Sequence, residues 1–145
     1  MHVTVVRDAS IPSGTVGLED RYEYDPKSGS RITEIIVGFH PDDLPAESIP
    51  ELSVALTVEA RRWTEVAATA HTRAELPQPP IIQVRRVPGL PCRVYIEDSL
   101  GSVTVLFRED AITEAGARAW QNALIRRSET WVRQEQQQEA GIGLR

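Results

Sequence analysis

The sequence predicts an α+β domain in which an antiparallel sheet of about five to six strands carries two long helices packed on one face. The main observation is a β-hairpin followed by a long helix, a unit that occurs twice along the 145 residues. Each helix has one apolar stripe that contains tryptophan, so core packing accounts for nearly all of the apolar residues. The order β-ββ-α-βββ-α fits either a diverged repeat or two unrelated amphipathic helices.

The first unit runs from Leu18 through the helix that bears Trp63, and a short predicted strand, Val-Thr-Val-Val, precedes it at residues 3–6. After a glycine-containing loop, Tyr22 and Tyr24 alternate with charged residues, and this period of two indicates a strand. Residues 25–29, Asp-Pro-Lys-Ser-Gly, predict a tight turn because proline presets its own φ and the final glycine allows a positive φ. The partner strand returns over residues 31–39 and completes the first hairpin.

The first helix is predicted over residues 48–74. Ser48 and Glu51 fit a capping box, in which each side chain bonds an N–H group that the first helical turn leaves free. The prolines at 77–80 end the helix, because proline disfavours helical backbone in the residue before it. The apolar stripe recurs every three to four residues and consists of Leu52, Leu56, Ala60, Trp63, Ala67 and Ala70.

The second unit contains three predicted strands and the second helix. This helix is predicted over residues 111–136, with Asp110 or Thr113 as its N-cap. Residues 1–136 then form a single domain, and residues 137–145 form a C-terminal tail. The predicted strands cover residues 81–87, 92–97 and 102–108, with turns between them.

The composition predicts a soluble, cytoplasmic protein without a cofactor or a metal ion. Cys92 is the only cysteine, the N-terminus does not resemble a signal peptide, and the three histidines lack metal-ligand spacing. No apolar run approaches the roughly 20 residues of a membrane span. The formal net charge of −5 does not favour nucleic acid as a partner. All but one of the 16 basic residues are arginine, either from genome composition or for planar anion contacts.

Two residues are candidates for catalysis. His40 precedes Pro41-Asp42-Asp43, and a histidine beside carboxylates can act as a base or help to hold a cation. Cys92 lies next to Arg93, whose charge can lower the pKa of a thiol. The alternative for His40 is a solvated loop, since the sequence places no nucleophile or third ligand beside it. The alternative for Cys92 is a buried structural cysteine, since it alternates in register with Val94 and Ile96.

The second sheet region predicts a face suited to anions. If Val94 and Ile96 point into the core, the opposite face combines arginine with tyrosine, a composition typical of interfaces and anion sites. An ordinary solvated face is the alternative. The candidate residues are Arg85, Arg93, Tyr95 and Arg108, with Arg21 as a further member.

The end of the second helix is the strongest candidate for a partner-binding site. Trp131 and Val132 lie where a helix of this length outruns a small sheet, and an uncovered tryptophan calls for a partner. Arg127 and Arg133 flank them as a polar rim.

From these observations we expect a non-catalytic protein–protein interaction module: an adaptor, immunity-type or assembly subunit that binds another protein or a second copy of itself. The first alternative is a domain that binds an anionic small molecule or nucleic acid through the arginine-bearing face. The second alternative is a small enzyme that uses His40 or Cys92.

Overall fold

A computed structural model of the chain describes residues 1–27, 29–69, 81–99 and 101–143. The α+β class and the two predicted helices are confirmed. In chain order the elements are β1 (His2–Arg7), β2 (Val16–Asp25), β3 (Gly29–Phe39), α1 (Ile49–Thr69), β4 (Ile81–Val87), β5 (Val94–Ser99), β6 (Ser102–Arg108) and α2 (Glu114–Gly143).

The prediction of one antiparallel sheet is wrong, because the strands form two sheets of three. Their orders are β1-β3-β2 and β4-β6-β5. The hairpins β2–β3 and β5–β6 are antiparallel, as predicted. The strand that precedes each hairpin pairs with the second strand of that hairpin and runs parallel to it, β1 with β3 and β4 with β6. Periodicity in the sequence identifies a strand and its hairpin partner, but it carries no information about which edge a separate strand will join.

The helices keep the two sheets apart by covering their edges. The N–H of Val5 in β1 donates to Oγ of Ser53, and the hydroxyl of Thr57 bonds both the N–H and the carbonyl of Val3. Ser53 and Thr57 belong to α1. The same helix also contacts the start of β5, where Glu51 accepts hydrogen bonds from the backbone N–H groups of residues 93 and 94. Helix α1 therefore lies between β1 and β5, so these edges cannot pair with each other.

Helix α2 occupies the matching place between β4 and β2. Oε1 of Gln121 accepts a hydrogen bond of 2.9 Å from the N–H of Val84, and Arg127 forms an ion pair of 2.6 Å with Asp20 in β2. Each helix thus borders one edge of each sheet, instead of both helices covering one face of a single sheet.

The same contacts explain why the predicted capping box is wrong. Oγ of Ser48 donates to the carbonyl of Ala111, 2.7 Å away in the second half, and Glu51 binds Arg93. At the start of α2, the predicted N-cap Thr113 is confirmed, since its hydroxyl accepts a hydrogen bond from the N–H of Gly116. Ser48 and Glu51 have the chemistry of a capping box but bind residues distant in the sequence, and a local motif cannot reveal such contacts.

The two halves repeat each other in detail. Val16, Leu18 and Asp20 of β2 correspond to Val94, Ile96 and Asp98 of β5 in their register with the central strand of each sheet. Arg7 donates to the carbonyl of Pro41, and the corresponding Arg86 donates to the carbonyl of Glu109. The diverged-repeat interpretation is therefore supported by equivalent strand registers and by equivalent side-chain contacts.

The helices carry one short local likeness, Arg-Arg-Trp at residues 61–63 of α1 and Arg-Ala-Trp at residues 118–120 of α2, but the strand register does not align these residues. Phe39 corresponds to Phe107, and counting on at the same spacing matches Leu52 with Trp120 and Trp63 with Trp131. The resemblance between Arg-Arg-Trp and Arg-Ala-Trp is therefore coincidental. A three-residue match between two helices can place one helix several turns out of alignment with the other. The paired residues of the strands fix the alignment of the two halves.

One core joins both sheets and both helices. Trp120 is 2% exposed, and its ring centroid lies 5.8 Å from that of Phe39. The prediction that Trp120 is core is confirmed, while the side chain of Trp63 lies outside the described residues. Helix α2 runs to Gly143, beyond its predicted end at residue 136, and the predicted last turn of the first helix, 70–74, lies outside the described residues.

Candidate interaction surfaces

The clearest difference between the two halves is the length of their hairpins. Asp20 pairs with Ile35 in the first half, and Asp98 pairs with Val103 in the second. Beyond these two equivalent pairs, the second hairpin has one more pair, Ser99 opposite Ser102. The first hairpin continues as far as the pair Asp25 and Gly29. We call residues 21–34 the hairpin arm.

A β-bulge separates the hairpin arm from the body of its sheet. The register shifts between Arg21 and Tyr22, so that Arg21 lies opposite Glu34, Tyr22 lies opposite Ile32, and Thr33 is the extra residue. The hydroxyl of Thr33 lies 3.4 Å from the carbonyl of Arg21. Bulges bend a ribbon and re-aim its side chains, so the arm need not follow the twist of the core sheet.

The hairpin arm exposes two large aromatic side chains. Tyr22 is 63% exposed and Tyr24 is 74% exposed. Because they are two residues apart on one strand, both point to the same face, and Ile32 lies directly across from Tyr22. Tyrosine is among the residues most enriched at protein–protein interfaces, where its ring adds contact area and its hydroxyl stays hydrogen-bonded.

The charges of the arm cancel. Arg21 lies 3.7 Å from Glu34, and Arg31 lies 3.7 Å from Glu23. These exposed pairs contribute little to stability. The formal charges of residues 21–34 sum to zero in a chain of net charge −5, with Arg21, Lys27 and Arg31 against Glu23, Asp25 and Glu34.

The sequence contains only an indirect signal for this surface. The alternation of Tyr22 and Tyr24 with charged residues predicts a strand and does not distinguish it from the other strands. The missed signal is length: the segment 16–25 is longer than its counterpart 94–99. That comparison requires the register of both hairpins, which only the structure supplies.

A second exposed apolar pair lies on α1. Val54 and Val58 are one helical turn apart and are 66% and 62% exposed. The corresponding positions in α2 hold the polar residues Asn122 and Arg126. The repeat therefore does not require valine at these positions.

The predicted division of β5 and β6 into two faces is confirmed by burial. Val94, Val103, Val105 and Phe107 are buried. On the opposite face, Arg85, Leu106 and Tyr95 form one cross-strand row, and Tyr95 is 49% exposed. Arg21, which the sequence grouped with this face, lies in the other sheet.

The two central arginines of this face are already paired with carboxylates. The guanidinium of Arg93 binds Glu51 at 2.9 Å. Arg108 makes two bonds to Asp110, of 2.6 and 3.0 Å. The hydrogen bonds to Arg108 lower the pKa of the Asp110 carboxyl, and the same bonds raise the pKa of the Arg108 guanidinium. An incoming anion would have to compete with these carboxylates.

Glu51 is held in its charged form by the same region. Burial alone would raise the pKa of its carboxyl, but hydrogen bonds from the backbone N–H groups of Arg93 and Val94 and from the Arg93 guanidinium outweigh burial and lower it. Glu51 therefore joins the first residues of β5 to α1.

The corresponding row of the first sheet shows a structural reason for Tyr95. The positions of Tyr95 and Leu106 correspond to Gly17 and Gly38, and there Ile11 folds back over the sheet. A Cβ on Gly38 would overlap Cδ1 of Ile11, so the glycine makes room for the isoleucine side chain. In the first half, the loop residue Ile11 covers this row. In the second half, the side chains of Tyr95 and Leu106 occupy it.

The catalytic candidates have local partners. Nδ1 of His40 accepts a hydrogen bond from the N–H of Asp42 at 3.0 Å, and Arg108 occupies the equivalent position in the second half. The thiol of Cys92, which is partly buried, lies 3.3 Å from the carbonyl of Val94. Within the described residues, no group of three or more histidine, cysteine or acidic side chains is arranged to hold a metal ion.

The predicted partner site on α2 is described only at its start. Arg127 forms an ion pair with Asp20. It also lines a shallow groove of about 220 Å³, together with Val16, Leu18, Ala123 and Arg126. This volume is smaller than the roughly 300–1,000 Å³ of typical ligand sites. The side chains of Trp131, Val132 and Arg133 lie outside the described residues.

Comparison with known proteins supplies no relative. The chain matches no protein-family model, and no curated protein or solved structure is significantly similar to it. None of the helices in the described ranges is both long enough and apolar enough to cross a membrane. The surfaces of this chain are therefore the basis for inferring its function.

Proposed function

We propose that this protein is a non-catalytic interaction module, an adaptor, immunity-type or assembly subunit that binds its partner through the hairpin arm. The observation that carries the proposal is the exposure of Tyr22 and Tyr24 on an extension that the second half of the same fold lacks. The second half is an internal control, because it builds an equivalent sheet with a four-residue connection, residues 99–102, in place of the arm.

The arm contributes little to the core of its own domain. The core cluster draws on β1, on the C-terminal part of β3 and on the second sheet, but not on Tyr22 or Tyr24. A two-stranded ribbon that extends past its sheet is at best marginally stable in water. Contact with a partner would cover the tyrosines and stabilise the ribbon at the same time.

The C-terminal part of α2 is the proposed second half of this surface. Ala123 lines one groove with Val16 and Leu18, and Arg127, about one turn further along α2, pairs with Asp20, two residues further along β2. The continuation of α2 that carries Trp131 and Val132 and the continuation of β2 that forms the arm are thereby directed to the same end of the molecule. Arg133 keeps its proposed role at the rim of this surface.

The alternative of an anion-binding domain has less support. Arg93 and Arg108 are bound to Glu51 and Asp110, and Tyr95 lies in a row that the first half fills with Ile11. An enzyme that uses His40 or Cys92 is the least supported alternative, since the contacts of each are explained by local structure.

The direct test is a shortened variant designed from the second half. Residues 21–34 are replaced by Ser-Leu-Gly-Ser, the connection that joins Asp98 to Val103. We expect the variant to fold, as judged by circular dichroism and a cooperative urea transition, and to lose the complexes that the full chain forms in extracts of its own cells. A folded variant that retains those complexes would contradict the proposal.

A further inference from the structure

We infer that the apolar face of the hairpin arm, formed by Tyr22, Tyr24 and Ile32, is an interface with the same arm of a second copy of this chain. The inference deepens the proposed function and rests on it. It commits to one partner surface, a self-complementary contact across a two-fold axis, in which each arm covers the tyrosines of the other.

Charge selects a second copy over a strongly charged partner. Two molecules of net charge −5 repel each other over most of their surfaces. The arm is the exception, because the formal charges of residues 21–34 sum to zero and its two described ion pairs, Arg21–Glu34 and Arg31–Glu23, are internal. A highly basic or acidic partner would gain no net attraction from the arm itself, whereas the neutral arm of a second copy meets no repulsion from it.

The geometry also suits a symmetric contact. The two tyrosines lie on one face of one strand, with Ile32 across from Tyr22, so the patch is apolar in its centre and polar at its borders. The arm is connected to the core through the bulge between Arg21 and Tyr22, which allows it to meet another arm without moving the core.

The size of the patch limits the affinity. Stable interfaces bury about 800 Å² on each partner, and three side chains supply less than that. We therefore expect a weak, concentration-dependent dimer, with a dissociation constant on the order of 100 μM to 1 mM for the arms alone. The C-terminal part of α2 would add to this if it joins the contact.

The experiment is sedimentation equilibrium of the full chain over a range from a few micromolar to about one millimolar. We expect the average mass to rise from that of the 16.1 kDa monomer towards twice that value. The variant Tyr22→Ser/Tyr24→Ser should stay monomeric, with its apparent association constant lowered at least tenfold. Tyr95→Ser removes a half-exposed tyrosine of the other sheet and should associate like the unchanged protein. Circular dichroism of all three proteins excludes unfolding as the cause.

Salt distinguishes this contact from a charge-driven one. Added sodium chloride screens the repulsion between two chains of charge −5, so association through neutral arms should be unchanged or strengthened. A dimer that dissociates as salt is added, a double variant that associates normally, or a chain that stays monomeric throughout would each overturn the inference. In the last case, loss of other complexes by the shortened variant would still support the proposed function, whereas retention of those complexes would refute it separately.

Discussion

Replacement of Gly116 by alanine tests how closely the two halves approach each other. Gly116 lies in the first turn of α2, and a Cβ at this position would sit 2.7 Å from the backbone carbonyl oxygen of Asp43 and 3.0 Å from Cγ1 of Ile112. The obstacle is backbone, so it cannot swing away as a flexible side chain would. The equivalent residue of the first half, Ser48, has space for a side chain and uses it to bond Ala111.

Two opposing effects set the size of the change. Alanine in place of glycine favours a helix by about 1 kcal/mol, whereas forcing an extra carbon into a packed contact costs about 1–3 kcal/mol. Here the contact includes a carbonyl oxygen that also accepts the N–H of Thr113 at 3.0 Å, so displacement weakens a hydrogen bond as well. We expect Gly116→Ala to lower the free energy of unfolding by about 1–2 kcal/mol.

Urea denaturation followed by tryptophan fluorescence measures this change. The matched control is Ser48→Ala, which keeps the Cβ at the equivalent position, removes only the hydroxyl, and should cost about 1 kcal/mol for the lost hydrogen bond. If Gly116→Ala is as stable as the unchanged protein or more stable, α2 does not approach Asp43 as closely as described, and the reasoning fails.

Three other predictions test the core, the charges and the end of α2. Trp120→Ala should cost about 3–5 kcal/mol because the ring is buried against Phe39, and a loss below about 1 kcal/mol would show that this helix face is misassigned. The pKa of Glu51 is lowered by folding, so its contribution to stability is present above its ordinary value of 4.5 and is lost as the pH falls through the folded value. The stability difference between the unchanged protein and Glu51→Gln, measured by urea denaturation from pH 7 to pH 3, should therefore shrink towards acid, and a constant difference would contradict this assignment. Trp131→Glu should leave the monomer folded and abolish partner binding in co-purification, whereas unfolding would make Trp131 a core residue and unchanged binding would move the interface elsewhere.

Much of the fold could be predicted from local patterns. The turn at residues 25–29 was identified from Pro26 and Gly29, and the positive φ of Gly29 confirms it. The faces of β5 and β6 follow from alternation, and the helices follow from apolar stripes. These features depend on neighbours within a few residues, which is the range over which a single sequence is informative.

The arrangement of the sheets and the candidate surface could not be predicted in this way. That β1 runs parallel to β3 depends on the long-range fit of α1 against Val3 and Val5, through Ser53 and Thr57. The sequence does not reveal that Arg93 pairs with Glu51, which lies in a distant helix, or that Arg108 pairs with Asp110. The exposed arm became visible only when the two hairpins could be compared in register.

Site-specific photo-crosslinking at the hairpin arm tests the central claim most directly. A photoreactive phenylalanine derivative replaces Tyr24 in one protein and Tyr95 in another, and both are irradiated in the cells that normally produce the chain. We predict that the probe at position 24 forms covalent adducts with a protein partner, including the dimer of this chain, and that the probe at position 95 does not. Adducts at position 95 with none at position 24 would contradict the account and transfer the interaction surface to the second sheet.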